Sequence, residues 1–357
     1  MSLLNRYIEV TTLEVLGLVS AGLTSLFSLL EFVEQLHDVG KGSYHLSDAL
    51  VYVLLTVPER FLQLMPVSML LATLFALGTL ASHNELTVMR AVGIPPSRIV
   101  GSVFRLAGPV LLMLFLAAEF VIPRAQQLAQ AVRISRLSSA SVPFRGANGF
   151  WAQGNLQYLN VRRFEHGNVP RNIYIYTFAA DGELKSLIQA DSAEIRSDGN
   201  WLLLGVVIKR FTDTGSETER TQAFAWHSFL RPQQVPLLVL PPESMPPIAL
   251  YQYVSDLERR HQPAARYAQT LWAKIDIPLA TAAMIMIAVP FVFGPLRTHG
   301  TGQRIVVGAL IGIVFSLLQQ MTSYLGLLLE VSPALTATLP SLALMAVAVH
   351  LIRRAFL

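Results

Sequence analysis

Residues Ile305–Leu325 have the sequence IVVGALIGIVFSLLQQMTSYL, a run without a single charged side chain. A helix needs about 20 mostly apolar residues to cross a bilayer, and this run is long enough. Five further stretches share the pattern, and they are Thr11–Val33, Val53–Ala81, Val100–Ile122, Trp272–Phe293 and Pro333–Ile352. The sequence therefore predicts an α-helical membrane protein with six transmembrane helices, three on each side of a long central segment.

The composition supports a membrane protein and excludes several other classes. Only 14% of the residues are charged and 53% are hydrophobic, whereas soluble proteins carry roughly 25% charged residues. The chain has no cysteine, which excludes disulfides, thiolate metal sites and cysteine nucleophiles. The net charge of +4 is modest and no basic stripe with interleaved aromatic residues occurs, so we expect no nucleic-acid partner.

The distribution of lysine and arginine in the short loops predicts the orientation of the spans. One side carries the arginines near both termini and in two short loops, which are Arg6, Arg90, Arg98, Arg105, Arg297, Arg304, Arg353 and Arg354. The opposite side has only Lys41 and Arg60 near its first loop. We therefore expect both termini to be cytoplasmic and the central segment to lie on the far side. Because no small-residue cleavage site follows the first apolar run, we expect that span to be retained.

The segment between the third and fourth spans changes from helix to strand. It starts as a helical continuation of the third span through Arg133 and Arg136, and it ends with the proline-rich linker Pro236–Pro247 and a helix over Ile248–His261. Aromatic and β-branched residues with partial alternation predict five strands between them, at Leu156–Val161, Asn172–Phe178, Leu187–Ile195, Trp201–Phe211 and Gln222–Trp226. Turns are predicted at Gly154-Asn155, Asp181-Gly182 and Asp198-Gly199. The predicted domains are residues 1–122, an inserted all-β domain with flanking helices at 123–268, and residues 269–357.

No motif of a catalytic or metal site is present. A phosphate-binding loop needs the pattern G-x-x-x-x-G-K-[ST], and Gly40-Lys41-Gly42-Ser43 lacks its upstream glycine, so we expect a surface turn there. The chain contains neither H-E-x-x-H nor G-x-S-x-G, and its eight histidines are dispersed. His227, beside Trp226, is predicted to be an ordinary residue of the β domain. We expect no catalytic residue, no metal site and no enzyme activity in this chain.

The predicted cytoplasmic loop after the second span contains HNELTVMRAVG, residues His83–Gly93. Residues 85–92 predict a short amphipathic helix. Its apolar side carries Leu86, Met89 and Ala91 or Val92, and its polar contacts are Glu85 and Arg90. Two interpretations are open, since such a helix either docks in a groove of a soluble partner or lies on the membrane surface.

Polar side chains inside the spans are costly in lipid and indicate function. They are Glu14, Glu31, Glu119, Gln319 and Gln320. Glu31 and Glu119 lie near the outer boundary, where they can reach water. Gln319 and Gln320 lie in mid-span, where they either join helices by hydrogen bonds or face an aqueous cavity.

Three blocks of sequence are similar to a known family, the permeases of the lipopolysaccharide export transporter. They comprise Phe32–Leu36 with Gly42–Tyr44 and Leu55–Pro58; Leu77–Ala81 with Asn84–Gly93; and Arg266-Tyr267, Trp272–Lys274 and Phe291–Arg297. The second block is shared by both permease types of the family, LptF and LptG. The FGPLR sequence at residues 293–297 resembles the LptG type and argues against the paralogous LptF. The resemblance covers nearly the whole chain.

This resemblance implies a non-catalytic subunit of an ATP-driven exporter in the inner membrane of a Gram-negative bacterium. The family's central domain is a periplasmic β-jellyroll between the third and fourth spans. The implied partners are LptF, two copies of the ATPase LptB, which uses the ATP and Mg, and then LptC and LptA. Lipopolysaccharide enters a cavity between the two permeases from the outer leaflet, and it leaves through the jellyrolls toward the outer membrane. No cofactor is implied for this chain.

The resemblance also implies roles for particular residues. Residues 84–93 match the family's coupling helix, which contacts the ATPase, and the matching residues are Asn84, Glu85, Leu86, Met89, Arg90, Ala91 and Gly93. The first and fifth spans match those that line the gate against LptF. The candidates in the fifth span are Phe315, Leu318, Gln319 and Thr322.

The outer end of the first span departs from the family pattern. Family members carry lysines there, suited to the phosphates of lipid A, whereas the matching positions here hold Glu31, His37 and Asp38, and Glu59 replaces another basic residue. A carboxylate would repel phosphate. The candidate replacement cations are Lys41, Arg60 and Arg133. Alternatively, Glu31 and Asp38 act through bridging divalent cations.

Other functions remain compatible with the sequence. Within transport, these are the paralogous subunit LptF and a permease for another lipid. Outside transport, the main alternative is a membrane-anchored periplasmic binding or assembly protein that uses the β domain to hold a partner. A membrane enzyme is the weakest alternative, because the chain lacks a catalytic constellation.

Overall fold

Six long apolar helices dominate the structure. The computed structural model describes residues 3–137, 150–153, 156–165, 169–179, 182–195, 200–212, 215–228, 242–259, 262, 264–293 and 301–356. Within these ranges, six helices are long and apolar enough to cross a membrane. They are α1 (Leu3–Leu36), α2 (Leu46–Ser82), α4 (Pro96–Phe120), α7 (Ala265–Phe293), α8 (Thr301–Leu328) and α9 (Pro333–Phe356). The six predicted spans are confirmed.

Among the described residues there are also three shorter α-helices and a 3-10 turn at Pro242–Ser244. The three α-helices are α3 (Glu85–Ala91), α5 (Ile122–Leu137) and α6 (Pro247–Arg259). The third span ends at Phe120, two residues before its predicted end, and α5 continues the chain from Ile122, as expected for a helical extension through Arg133. The FGPLR block falls mostly outside the described residues, as do most of the proline-rich linker and the predicted turns at 154–155 and 198–199.

The helices form two compact units with the rest of the chain. The first unit consists of Met1–His37, Leu50–Gln126 and Pro246–Leu357, and the second consists of Asp38–Ala49 and Gln127–Met245. The first unit contains all six spans and has a core to which α2 and α7 contribute most, including Met69, Leu74, Met284 and Ile285. The second unit contains the loop between α1 and α2, most of α5, and the β domain.

The six spans differ greatly in the fraction of their residues that is buried within the chain itself. In their most apolar windows, 78% of the α2 residues and 61% of the α7 residues are buried, but only 17% in α1 and in α8. A central pair of helices is expected to be apolar all round. The surfaces of α1 and α8, by contrast, are left for lipid, substrate or another protein to cover.

Two glycines one helical turn apart let α8 approach α2 closely. A Cβ atom on Gly308 would lie 2.5 Å from Leu71 Cδ2, and one on Gly312 would lie 2.8 Å from Val67 Cγ1. Small residues at this spacing are a common means of helix packing in membranes, because they allow the backbones to approach.

The β domain is an antiparallel sheet with its strands in chain order. The strands are β1 (Phe150–Gln153), β2 (Gln157–Glu165), β3 (Val169–Phe178), β4 (Leu184–Ile195), β5 (Asn200–Thr212) and β6 (Gly215–His227). The inserted all-β domain is thus confirmed, and all five predicted strands lie at their expected places. The structure adds β1. The strands of a jellyroll form two sheets, whereas the described strands form one.

The partial alternation noted in the sequence has a physical cause in β5. Its buried side chains change from odd positions, Trp201 and Leu203, to even positions, Val206 and Ile208. Gly205, between them, has a left-handed backbone with φ of +65°. The pairing of β5 with β4 and β6 keeps its register across Gly205, so the buried face changes at this glycine without an inserted residue. The core around it includes Trp226, whose ring meets that of Trp201 edge to face at 5.7 Å.

Candidate functional site

The helix α3 is bounded on both sides by left-handed backbone. Asn84 has φ of 63° and accepts hydrogen bonds at its carbonyl from the amides of Thr87 and Val88, both at 3.0 Å. Gly93 has φ of 90° and donates its amide to the Arg90 carbonyl at 2.9 Å. A left-handed residue after a helix is the usual stop signal, and glycine adopts it without strain. The predicted short helix in residues 84–93 is therefore present.

The apolar side of α3 packs on the chain's own helical core. Leu86 is only 3% exposed and belongs to that core, and Met89 packs against it partly buried. Val88 and Val92 are 61% and 77% exposed, and Arg90 and Ala91 are also exposed. The sequence suggested Leu86 and Met89 as the apolar anchor for a partner. The structure instead places them toward the bundle, and it leaves Val88 and Val92 as the open apolar surface.

Glu85 has a partner within the chain that sequence reasoning missed. The hydroxyl group of Tyr7, near the start of α1, hydrogen-bonds the Glu85 carboxylate. Glu85 is half-buried and Tyr7 is 46% exposed. The first span is thereby tied to α3. A tyrosine at the start of an apolar run gives no local signal of such a contact.

Glu31, an acidic residue near the outer end of the first span, forms an ion pair with Arg60, one of the candidate phosphate-binding cations. Glu31 Oε2 lies 3.4 Å from Arg60 Nη2, and Glu31 Oε1 accepts a hydrogen bond from Gln35 Nε2 at 2.9 Å. Arg60 also donates to the hydroxyl of Ser28 at 3.4 Å. The charge of Arg60 is therefore balanced inside the span region rather than free.

Glu59, next to this pair, is held by two amide side chains. Gln63 donates to its Oε1 at 3.2 Å, and Gln126 donates to its Oε2. Each oxygen of this carboxylate thus accepts a hydrogen bond from a neutral amide.

Asp38, which follows the end of the first span, lies between the cationic side chains of Lys41 and Arg133. Its Oδ1 is 2.8 Å from Lys41 Nζ, and its Oδ2 is 2.6 Å from Arg133 Nη2. The hydrogen bond from Lys41 and then that from Arg133 hold the pKa of the Asp38 carboxyl below its usual value. The three side chains, named here the Asp38 cluster, leave one net positive charge. Asp38 therefore positions the cations that the sequence suggested as phosphate ligands.

A second set of contacts fastens the same loop to α5. Asp48 Oδ1 lies 3.6 Å from Arg136 Nε, and its Oδ2 accepts the His45 amide at 2.9 Å. The Arg136 carbonyl accepts the amide of Ser43 at 3.0 Å. The turn at Gly40–Ser43 is thus a structural turn, as predicted, with left-handed glycines at 40 and 42.

The contacts of Glu31 and Asp38 bear on the alternative that both residues act through bridging divalent cations. Among the described residues, no group of three or more His, Asp or Glu side chains is arranged to hold a metal ion. Glu31 contacts an arginine, and Asp38 contacts a lysine and an arginine. Each of the two carboxylates thus has at least one cationic side chain beside it.

The four candidates of the fifth span face different surroundings. Phe315 is 4% exposed and lies in the core, whereas Leu318 is 49% exposed. Thr322 donates its hydroxyl to the Leu318 carbonyl of its own helix at 3.0 Å. Gln319 donates from Nε2 to Asp276 Oδ2 on α7 at 3.2 Å. Of the four, Leu318 is the one on the open surface of α8.

Both interpretations of the mid-span glutamines find support. Gln319 joins α8 to α7 by its hydrogen bond, and Gln320 is exposed. The two residues also line an open cleft of about 330 Å³, together with Ser323, Tyr324 and Leu327. Asp276, the partner of Gln319, was missed in the sequence, although a carboxylate within an apolar run was the available signal.

The remaining acidic residues of the spans differ from each other. Glu119, at the end of α4, accepts the backbone amide of Ile248 at 3.1 Å and so satisfies the start of α6. Glu14 lies on the exposed side of α1. His227 lies on β6 and bonds to Asn200 at 2.8 Å, as expected of a residue of the β domain.

Comparisons with known proteins agree with this architecture. Residues 6–354 match the family described as "Lipopolysaccharide export system permease LptF/LptG". The chain is 32% identical over 356 residues to the lipopolysaccharide export system permease protein LptG of Escherichia coli strain K12, with 98% of both chains covered. It is 31% identical over 340 residues to the protein of the same name from Haemophilus influenzae, with 95% of both chains covered.

Proposed function

The chain belongs to the LptF/LptG family of lipopolysaccharide export system permeases, and we propose that it acts as the LptG-type half of a cavity whose other half is an LptF subunit. It is a multi-pass, non-catalytic subunit in the inner membrane. The arginines of the short loops support cytoplasmic termini and a periplasmic β domain. The likeness to LptG over nearly the whole chain favours this type over LptF.

The observation that carries the cavity proposal is the bare surface of α1 and α8. Large apolar side chains on α8 are about half exposed or more, including Leu310, Ile313, Leu317 and Met321. Acyl chains and the apolar face of a second permease both fit such a surface, since neither requires polar partners. We infer that α1 and α8 face LptF and the acyl chains of lipopolysaccharide.

The Asp38 cluster supports recognition of the phosphates of lipid A. Lys41 supplies an ammonium group and Arg133 a planar guanidinium group, and both kinds of donor bind phosphate. The cluster retains one net positive charge after Asp38 is counted. We infer that Asp38 orders the two cations, whereas Arg60 is committed to Glu31 and contributes less to phosphate binding.

The exposed side of α3 supports contact with a cytoplasmic ATPase. Val88, Arg90 and Val92 are exposed, and a short helix with apolar and cationic side chains suits a groove on a soluble protein. We infer that two copies of LptB bind beneath the two permeases and supply the ATP and Mg chemistry. The β domain then passes the lipid toward LptC and LptA for assembly of the outer membrane.

Site-specific photocrosslinking on α8 tests the cavity proposal. A photoreactive amino acid at Leu318, 49% exposed, is expected to form an adduct with lipopolysaccharide in membranes. The same amino acid at Phe315, 4% exposed on the same helix, is the matched control and is expected to give none. Adducts with phospholipid alone at Leu318, in a complex that still releases lipopolysaccharide, would overturn the assignment.

A further inference from the structure

A buried carboxyl group joins the last three spans. Asp276 on α7 is 1% exposed. Its Oδ2 accepts a hydrogen bond from the Ser341 hydroxyl on α9 at 2.6 Å and another from Gln319 Nε2 on α8 at 3.2 Å. Its Oδ1 is also buried, and it has no hydrogen-bond partner among the described residues. Oδ2 thus accepts two hydrogen bonds, whereas Oδ1 accepts none from the described residues.

No cation balances this carboxyl group within the described part of the chain. Asp276 makes no ion pair there. Other titratable side chains lie on α7 itself, on the helices that contact it and on α2, which shares its core. They are Arg266, Tyr267 and Lys274 on α7; Asp48, Tyr52, Glu59 and Arg60 on α2; Arg304 and Tyr324 on α8; His350, Arg353 and Arg354 on α9; Arg98, Arg105 and Glu119 on α4; and Tyr251, Tyr253, Asp256, Glu258 and Arg259 on α6. The groups that contact Asp276 are a hydroxyl and an amide, both neutral.

An unpaired carboxylate buried in a membrane bundle is costly, whereas a neutral carboxylic acid costs far less. Because Oδ2 already accepts two hydrogen bonds, Oδ1 is the oxygen that remains for a proton. We propose that Asp276 binds a proton at Oδ1 and joins α7, α8 and α9 as a neutral carboxylic acid. This proton-binding site is independent of the proposed lipid substrate.

A neighbouring network joins the same three helices through neutral groups. Gln269 on α7 donates from Nε2 to Ser323 of α8 at 3.0 Å and accepts at Oε1 from Thr336 of α9 at 2.9 Å. The same three helices are thus already joined by neutral groups. Ser323 and Gln319 both line the open cleft on α8. We assign the proton's route to this cleft, because Gln319 both lines it and contacts Asp276.

Infrared difference spectroscopy of the full chain in lipid nanodiscs tests the protonation state. At neutral pH, the wild-type protein is expected to show a carbonyl stretch of a protonated carboxylic acid that is lost in Asp276→Asn. The control Glu31→Gln is expected to leave this band in place, because Glu31 is paired with Arg60. Loss of only a carboxylate band in Asp276→Asn would overturn the proposal.

A second pair of variants covers the case in which Asp276→Asn does not fold. Ser341→Ala removes one hydrogen bond to the acid, and its band is expected to shift to higher frequency. Thr336→Ala, on the same helix α9, removes a bond of the neutral network and is expected to leave the band unmoved.

Labelling with dicyclohexylcarbodiimide, which reacts with protonated membrane carboxyl groups, is expected to mark the peptide of Asp276 and not that of Glu31. An unmoved band in Ser341→Ala and an unlabelled Asp276 would each contradict the proposal.

Discussion

At the scale of single residues, the Asp38 cluster separates a ligand from a positioning group. Arg133→Ala removes a cation that we assign to phosphate binding, so we expect lipopolysaccharide release to fall several-fold. Asp38→Asn keeps both cations but loses their shared anion, so we expect a smaller loss. Release of lipopolysaccharide from proteoliposomes of the complete exporter measures both. Arg210→Ala is the matched control, because Arg210 pairs with Glu219 on the exposed side of the β domain, 3.2 Å away. Equal losses in all three variants would contradict the assignment.

The pH dependence of the same cluster follows from the lowered pKa of Asp38. Hydrogen bonds from Lys41 and Arg133 lower the pKa of the Asp38 carboxyl below its ordinary value in the folded protein. Stability from the ionised pair is therefore fully present above that value and is lost as the pH falls through the lowered pKa. We expect the difference in melting temperature between wild type and Asp38→Asn to be constant from about pH 8 to pH 5. A difference that vanishes within that window would show that the pair does not stabilise the loop.

At the scale of elements, α3 buries one face against the bundle, and we assign its exposed face to a partner. Val88→Asp adds a charge to the exposed face, so we expect less ATPase to copurify while the melting temperature of the chain stays unchanged. Leu86→Ala empties a core position and is expected to cost about 2–5 kcal/mol of stability. Val88→Ala serves as the conservative control and should retain the ATPase. Full copurification with Val88→Asp would assign the ATPase contact to another surface.

The contact between Tyr7 and Glu85 makes a separate prediction at the start of α3. Glu85→Lys removes a hydrogen bond within the chain as well as a polar contact available to the ATPase. Tyr7→Phe removes only the internal bond, so it isolates that part of the effect. We expect Glu85→Lys to uncouple ATP hydrolysis from lipid release more strongly than Tyr7→Phe. Equal effects would mean that Glu85 acts only through Tyr7.

The elements themselves were predictable because their signals are local. The length of the apolar runs gave the spans, and β-branched residues gave five strands of the sheet. The orientation of α3 was not predictable, because its two faces both carry apolar residues and only the neighbouring helices decide which face is buried. The pairing of Asp38 with Arg133 joins distant parts of the chain, so no local pattern indicates it. The sequence therefore suggested Lys41 and Arg133 as candidate cations but could not show that both contact Asp38.

At the scale of the whole molecule, α8 has to present a bare apolar surface while it stays attached to the bundle. Its outer side chains are exposed, and its glycines at 308 and 312 lie against α2. The hydrogen bonds from Gln319 to Asp276 and from Gln269 to Ser323 add two polar attachments of α8 to α7. Attachment through small residues and few polar bonds leaves the opposite side of the helix exposed, which is the side that we assign to the lipid and the second permease.

This arrangement predicts unequal effects of alanine at the two glycines. A Cβ on Gly312 would meet Val67, whose β-branched side chain has little rotameric freedom in a helix. A Cβ on Gly308 would meet the end of Leu71, which can move more easily. We expect Gly312→Ala to destabilise the protein by about 1–3 kcal/mol, and Gly308→Ala to cost less. Thermal unfolding of the purified complex measures both.

The matched control for these variants is Gly101→Ala on α4, where an added Cβ meets nothing within 4 Å. Replacing glycine by alanine in an open helical position removes conformational freedom from the unfolded chain, so we expect a gain of about 0.5–1 kcal/mol. If α8 is the wall of the lipid cavity, Gly312→Ala should also weaken the adduct between lipopolysaccharide and a photoreactive residue at 318, whereas Gly101→Ala should not. An undiminished adduct in a destabilised Gly312→Ala protein would show that the packing of α8 on α2 holds the bundle together without shaping the cavity.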